Sequence, residues 1–217
     1  MSGLRSSGHR GLSGIAVVTV AAVAVLGLAV AAAAARVDAR IYATPKVLAE
    51  FALVDGAGKP FGKADLKGKW TLVLLGFTHC PDICPFTLQN LAHVKRELAS
   101  RVSPDRLPRV VFVGVDPDRD RPVIGEYVRH FDDDFVGVTG AWNEVEKLVV
   151  ALDGFVRISG KNKVGNHYDV RHSAVVSLLD SEGRLVAGIN PPLQPVGAAN
   201  FIAEMIIKHG RKKSAAN

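Results

Sequence analysis

The chain has almost no cysteine: its 217 residues include two, Cys80 and Cys84, both inside the stretch THCPDICPFTL at residues 78 to 88. Two cysteines exclude a disulfide-rich scaffold and a four-cysteine zinc site, and the three-residue gap is not the two-residue gap of a thioredoxin-type redox pair. Also missing is any run of basic residues interleaved with aromatics, so the net charge of +6 points to no nucleic-acid partner. There is no internal repeat, and no low-complexity tract beyond one alanine-rich segment.

That segment is defined by what it lacks. Residues 12 to 35 contain no charged side chain, and at 1.5 Å per residue such a helix spans about 36 Å, enough to cross a bilayer core. A transmembrane anchor is the expectation; a cleaved signal peptide and a buried core helix are the alternatives. Arg5 and Arg10 precede the segment, which favours a cytoplasmic N-terminus and a domain on the outer side, periplasmic or equivalent. From residue 36 onward 25 basic side chains stand against 21 acidic ones, ending in the basic run KHGRKK.

Beyond the anchor, hydropathy alternates between strand and helix periods. Residues 50 to 62 (EFALVDGAGKPFG) read as a hairpin around a glycine turn. WTLVLLGF (70 to 77) and RVVFVGV (109 to 115) are unbroken apolar runs of strand length, as in strands covered on both faces. Between them Leu88, Leu91, Val94 and Leu98 recur at helical steps. Helices are also expected near 123 to 131, 142 to 152 and 196 to 209, with a short strand near 135 to 138. A polar loop runs to Tyr168, followed by a second hairpin from 173 to 189.

This order matches an α/β, thioredoxin-like fold with an N-terminal hairpin and a central mixed sheet flanked by helices, preceded by one transmembrane helix. The expected organisation is a cytoplasmic N-terminus (1 to 11), anchor or uncleaved signal (12 to 35), linker (36 to 48), thioredoxin-like domain (49 to 210) and basic tail (211 to 217). Ligands of open α/β sheets gather beyond the carboxyl ends of parallel strands, where the cysteine stretch and Asp116 fall.

Cys80 and Cys84 sit at a strand-to-helix turn, where the helix amino terminus favours thiolate over thiol and Pro81 and Pro85 stiffen the backbone. Two thiolates can hold copper(I), a third ligand is usually wanted, and imidazole suits it; in an oxidising compartment the pair could instead form a structural disulfide. Of seven histidines, His9, His209, His93 and His130 fall in flanks or helices. His79, His167 and His172 remain, with His79 expected in a supporting role and His172 at the start of a strand.

GFTHCPDICPFTL (76 to 88), VDPDRDRP (115 to 122), FVGVTG (135 to 140) and YDVRHSAVVSLLD (168 to 180) resemble, in the same order, the Sco/SenC family of membrane-anchored copper proteins. The resemblance runs from about residue 46 to 210. It implies one copper bound through Cys80, Cys84 and His172, and a role in assembling the binuclear CuA centre of cytochrome c oxidase. Asp116 and Asp120 are expected to orient ligands or to cap the next helix. The chain departs from the family in Arg171, where an acidic residue is common, and in Ser177, where an aromatic is frequent. A cation at 171 should disfavour a bound cation unless Asp169 compensates.

Two functions follow. In the first, the protein is a copper metallochaperone for the oxidase subunit carrying CuA, receiving copper(I), or copper(II) given further ligands, from another copper chaperone. In the second, Cys80 and Cys84 are a redox-active pair that keeps the target cysteines reduced, itself renewed by a thiol reductant. Zinc also fits two cysteines and a histidine, whereas no peroxide-binding cysteine motif of the peroxiredoxin kind is visible.

Overall fold

A computed structural model of the chain describes residues 37 to 160 and 168 to 215, with side chains to residue 209. The anchor expected over 12 to 35 lies outside the described residues. Among those described, no helix is long and apolar enough to cross a membrane.

An eight-stranded mixed sheet forms the centre, in the order β1-β10-β9-β4-β5-β6-β2-β3. The strands are β1 (Ala39–Val47), β2 (Ala52–Asp55), β3 (Pro60–Gly62), β4 (Thr71–Gly76), β5 (Arg109–Gly114), β6 (Val136–Thr139), β9 (Val176–Leu179) and β10 (Arg184–Ile189). Strands β4, β5 and β6 run parallel, and β9, β10 and β2 extend them antiparallel. Among the described residues five α-helices follow in chain order: α1 (Ile83–Ala99), α2 (Pro117–Asp120), α3 (Ile124–Arg129), α4 (Trp142–Ala151) and α5 (Pro195–Ala215). This is the thioredoxin-like arrangement expected.

Period-2 alternation on the central strands divides the core in two. Leu72 and Leu74 of β4 and Val110 and Phe112 of β5 pack with Leu88, Leu91 and Leu98 of α1 and Ile202 and Ile206 of α5. Val73, Leu75, Val111 and Val113 face the other way, against Val145, Leu148 and Val149 of α4. Each such Leu or Val, essentially without solvent exposure, contributes about 1.5–3 kcal/mol, and so both faces hold β4 and β5 in place beneath the loops at their carboxyl ends.

Two expectations are corrected. Residues 39 to 47, within the expected linker, form edge strand β1, paired with β10 and bulged between Ile41 and Lys46. Its Pro45 lies in that irregular stretch, and an edge strand tolerates the missing donor. Lys46 and the Tyr42 hydroxyl both bond the Asp153 carboxylate, which ties the strand to the loop after α4. The expected loop before Tyr168 contains β7 (Val156–Ser159), which pairs with β8 (Asp169–His172) as a separate two-stranded sheet. His172 therefore ends a strand rather than beginning one.

Candidate metal centre

Strand β4 ends at Gly76, and the turn through Phe77 and Thr78 delivers Cys80 to the mouth of α1. Cys80 lies before the helix, half-buried, with its N–H bonded to the Phe77 carbonyl at 3.2 Å. Cys84, in the first turn of α1, is 1% exposed. The two are not stacked along one helix face as an i, i+4 spacing alone predicts; Cys80 is a turn residue and Cys84 a helix residue, and Cys80 packs against the core cluster that holds Cys84.

His172 arrives from the other direction, on β8. Its Nδ1 lies 3.0 Å from the Ser173 carbonyl, and because a carbonyl only accepts, Nδ1 carries the proton and Nε2 keeps a free lone pair. That nitrogen faces Cys84 Sγ at 3.6 Å. Fixing one ring nitrogen by a backbone acceptor is how proteins orient a ligating imidazole. Phe77 packs edge-on against the ring, centroids 5.8 Å apart. Burial lowers the pKa of His172, with the Ser173 carbonyl opposing it, which keeps the imidazole neutral at pH 7.

Cys84 departs from the expected thiolate. Burial drives its pKa well above the usual thiol value, against a hydrogen bond from the Phe77 backbone that favours the anion. Desolvation in the core outweighs the helix terminus here. Among the described residues no three Cys, His, Asp or Glu side chains are gathered tightly enough to form a ready-made metal cage. Instead Cys84 faces His172 Nε2, and Cys80 packs against the core cluster that contains Cys84. Two sulfurs and one free imidazole nitrogen are a donor set that fits copper(I); zinc would require a fourth ligand.

Asp116 and Asp120 are both fully buried, and each holds one arm of this arrangement. Asp120 Oδ1 accepts from the Thr78 N–H (2.7 Å) and hydroxyl (2.8 Å), while its Oδ2 accepts from the Asp116 N–H (2.9 Å). It thereby anchors the cysteine turn two residues before Cys80. Asp116 stands at the N-cap position of α2, yet its side chain caps nothing there. Its oxygens accept from the Tyr168 hydroxyl at 2.7 and 2.9 Å and pair with Arg119. Tyr168 immediately precedes β8, and thus Asp116 steadies the strand bearing His172. The Arg119 guanidinium lies 3.9 Å from the centroid of Tyr168 and 5.7 Å from that of Phe77, bridging the two arms.

The other histidines stand apart. His79 contacts the Thr78 hydroxyl at 3.1 Å, His209 bonds the Met205 carbonyl, His130 packs edge-on against Phe131, and His9 and His167 lie outside the described residues. Arg171 and Asp169 alternate with His172 on β8 and face outward, so neither points at the sulfurs. Arg171 is instead in register with Arg157 of β7. Sequence reasoning gave no role to Thr78, Tyr168 or Arg119. Their signal is the pairing of each with a buried aspartate, which a linear sequence does not display.

A thioredoxin-like sheet with a Cys-x-x-x-Cys turn and a facing histidine defines the class. Residues 40 to 206 match the SCO1/SenC family model, and the chain belongs to that family. It is 35% identical over 141 residues to a SCO2-like protein of Rickettsia felis, covering 64% of this chain and 67% of that one. It is 34% identical over 168 residues to mitochondrial SCO2 of Saccharomyces cerevisiae, covering 77% of this chain and 55% of the yeast protein. The fold overlays Arabidopsis thaliana ScoI with copper bound at a TM-score of 0.67 and 28% identity, covering 75% of this chain and 99% of that one. Copper-bound yeast Sco1 matches at 0.67 and 30%, over 74% of this chain and 88% of the yeast one.

Proposed function

We propose that the protein is a copper metallochaperone, holding copper through Cys80, Cys84 and His172 and delivering it to the CuA-bearing subunit of cytochrome c oxidase. The observation that carries this reading is the Cys84 Sγ to His172 Nε2 approach of 3.6 Å, with Cys80 in the preceding turn packed against the cluster that holds Cys84. It is supported by membership in a family with copper-bound solved members. Asp120 and Asp116 would fix the cysteine turn and the histidine strand independently, so that the donors converge without a rigid cage. An open three-donor site suits a carrier, since a partner's ligands can enter before its own have all left. In this reading residues 12 to 35 anchor the domain to the membrane, facing the outer side, and another copper chaperone loads it.

A second reading rests on the same pair. Both cysteines are free thiols, Cys80 the accessible one and Cys84 buried. Cys80, as thiolate, would attack a target disulfide to form a mixed disulfide; Cys84 would then displace it, releasing a reduced target and leaving a Cys80–Cys84 disulfide. The two electrons come from the pair, and an external thiol reductant restores it.

Anaerobic copper(I) titration of the reduced protein against a chromophoric chelator separates the readings, run beside Cys80→Ser, Cys84→Ser and His172→Ala. The carrier predicts one tight equivalent, lost with either cysteine and weakened without His172, and not displaced by equimolar zinc. Weak binding indifferent to His172, in a protein that still reduces a disulfide substrate, leaves the oxidoreductase.

A further inference from the structure

The ribbon of β7 and β8 that carries His172 has a second face. Val156 and Ile158 of β7 and Val170 and His172 of β8 are half-buried, and they alternate with exposed residues. On that outer side Arg157 stands directly opposite Arg171, with Ser159 opposite Asp169 toward the connecting loop. At the other end the Phe155 carbonyl accepts the Ser173 N–H at 3.0 Å, and the Phe155 side chain is 58% exposed.

Neither feature is explained by folding. Like charges directly opposite each other destabilise a strand pair, and among the described residues neither arginine pairs with a carboxylate, Asp169 included. An exposed phenylalanine leaves a large apolar ring in water. Arginine and aromatic side chains are the ones enriched where one protein grips another, and the guanidinium fork matches a carboxylate bidentately. Position supplies the rest. Arg171 is the chain neighbour of His172, and Phe155 holds the backbone of Ser173, whose carbonyl orients the imidazole. The acidic residue common at 171 in the Sco/SenC family would face Arg157 with opposite charge, so the double cation is a feature of this chain.

We propose that the outer face of the β7 and β8 ribbon is a docking surface for an acidic protein, the carboxylates beside the copper-receiving site of the CuA-bearing oxidase subunit. The two guanidinium groups, side by side across the strands, take carboxylates of that partner, and Phe155 meets apolar surface at the ribbon end nearest the donors. The patch steers and orients the partner without touching copper. A lipid surface would call for a broader cationic field; two cations with Asp169 beside them are a footprint of protein size. Charge at an interface rim acts mainly on the association rate, and salt screens it over a Debye length of about 10 Å at 0.1 M.

The inference takes its partner from the copper-carrier reading, and its test separates the two. Association of the reduced, copper-free full chain in neutral detergent with the immobilised soluble domain of the CuA-bearing subunit is followed at about 20 and about 200 mM salt. The parent is run beside Arg157→Glu with Arg171→Glu, Arg157→Lys with Arg171→Lys, and Lys67→Glu with Lys69→Glu, whose exposed lysines precede β4 at the end away from the site. Expected at low salt is association about tenfold slower for the arginine-to-glutamate variant, within about threefold of the parent for arginine-to-lysine, and within about twofold for the lysine reversal, with the differences shrinking at high salt. Equal slowing in both reversals means that only net charge acts, and overturns the proposal. So does a parent that fails to bind the subunit domain, or one that binds anionic phospholipid vesicles through the two arginines instead. Copper(I) affinity is measured separately by chelator competition. A parent that docks through its arginines but holds no copper overturns the carrier reading and leaves the docking face, whereas tight copper binding with association indifferent to the arginine reversal does the opposite.

Discussion

Replacing Asp120 should divide its hydrogen bonds into separable parts. Asp120→Asn is nearly isosteric: its amide oxygen, placed as Oδ1, can still accept from the Thr78 N–H and hydroxyl. Its NH2 then faces the Asp116 N–H, donor against donor, leaving one buried backbone N–H unpaired at about 1–3 kcal/mol. Part of that is recovered, because burial already penalises the Asp120 carboxylate and raises its pKa. A net loss of about 1 kcal/mol is expected. Asp120→Ala abandons all three donors, and although the Thr78 hydroxyl can rotate elsewhere, the two backbone N–H groups cannot. The side chain also packs against Gly114, where an added Cβ would sit 2.7 Å from Oδ2, so its loss opens a void. The expected cost is about 3–5 kcal/mol, a large share of a typical domain stability of about 5–15 kcal/mol. Urea unfolding at pH 7 tests this, provided the slope of free energy against urea is unchanged. Equal losses in Asn and Ala would mean that Asp120 acts through its charge and not through the bonds at Oδ1, and an Ala loss below about 1 kcal/mol would refute the anchoring argument.

Three further outcomes follow. Gly76→Ala drives a methyl into the Phe112 ring and Cys84 Sγ; overpacking of this kind costs about 1–3 kcal/mol, and chelator competition should show weakened copper binding beside the lowered urea midpoint. Arg171→Glu turns the like-charged cross-strand pair with Arg157 into an attractive one, so amide exchange in β7 and β8 should slow by an amount worth about 0.2–1 kcal/mol, while copper affinity changes less than about threefold because residue 171 faces away from His172. The lowered pKa of His172 means the unfolded chain binds its proton more readily than the folded one. Its contribution is therefore complete above the ordinary histidine value near pH 6.5 and is lost as pH falls through the interval between that value and the lower folded one. A urea midpoint series from pH 7.5 to 5 on the copper-free protein should show that slope, flattened in His172→Asn.

The sheet and its helices were legible where one physical signal dominated. WTLVLLGF and RVVFVGV are apolar throughout because β4 and β5 are covered on both faces, and α1 shows its buried stripe because its other face is wet. Edge elements carry no such signal. Strand β1 has one hydrogen-bonding neighbour, alternates poorly and contains Pro45, so it reads as a linker; β7 and β8 have four residues each and are polar on every second position, and read as loop.

The site divides along a similar line. Cys80 and Cys84 could be named because thiols are scarce and chemically distinct, whereas His172 was set apart from His79 and His167 only by the resemblance to the Sco/SenC family. What converges them is commoner chemistry: Thr78 to Asp120, Tyr168 to Asp116, and Arg119 across the two arms. No spacing rule announces those contacts, since they span 42 and 52 residues. The state of the sulfurs was hidden for a further reason. A helix amino terminus is visible in sequence and favours thiolate, whereas the burial that holds Cys84 as a thiol comes from the whole core around it. The empty site therefore keeps Cys84 protonated, and copper binding must release that proton, so loading should strengthen with rising pH even though His172 is already neutral at pH 7.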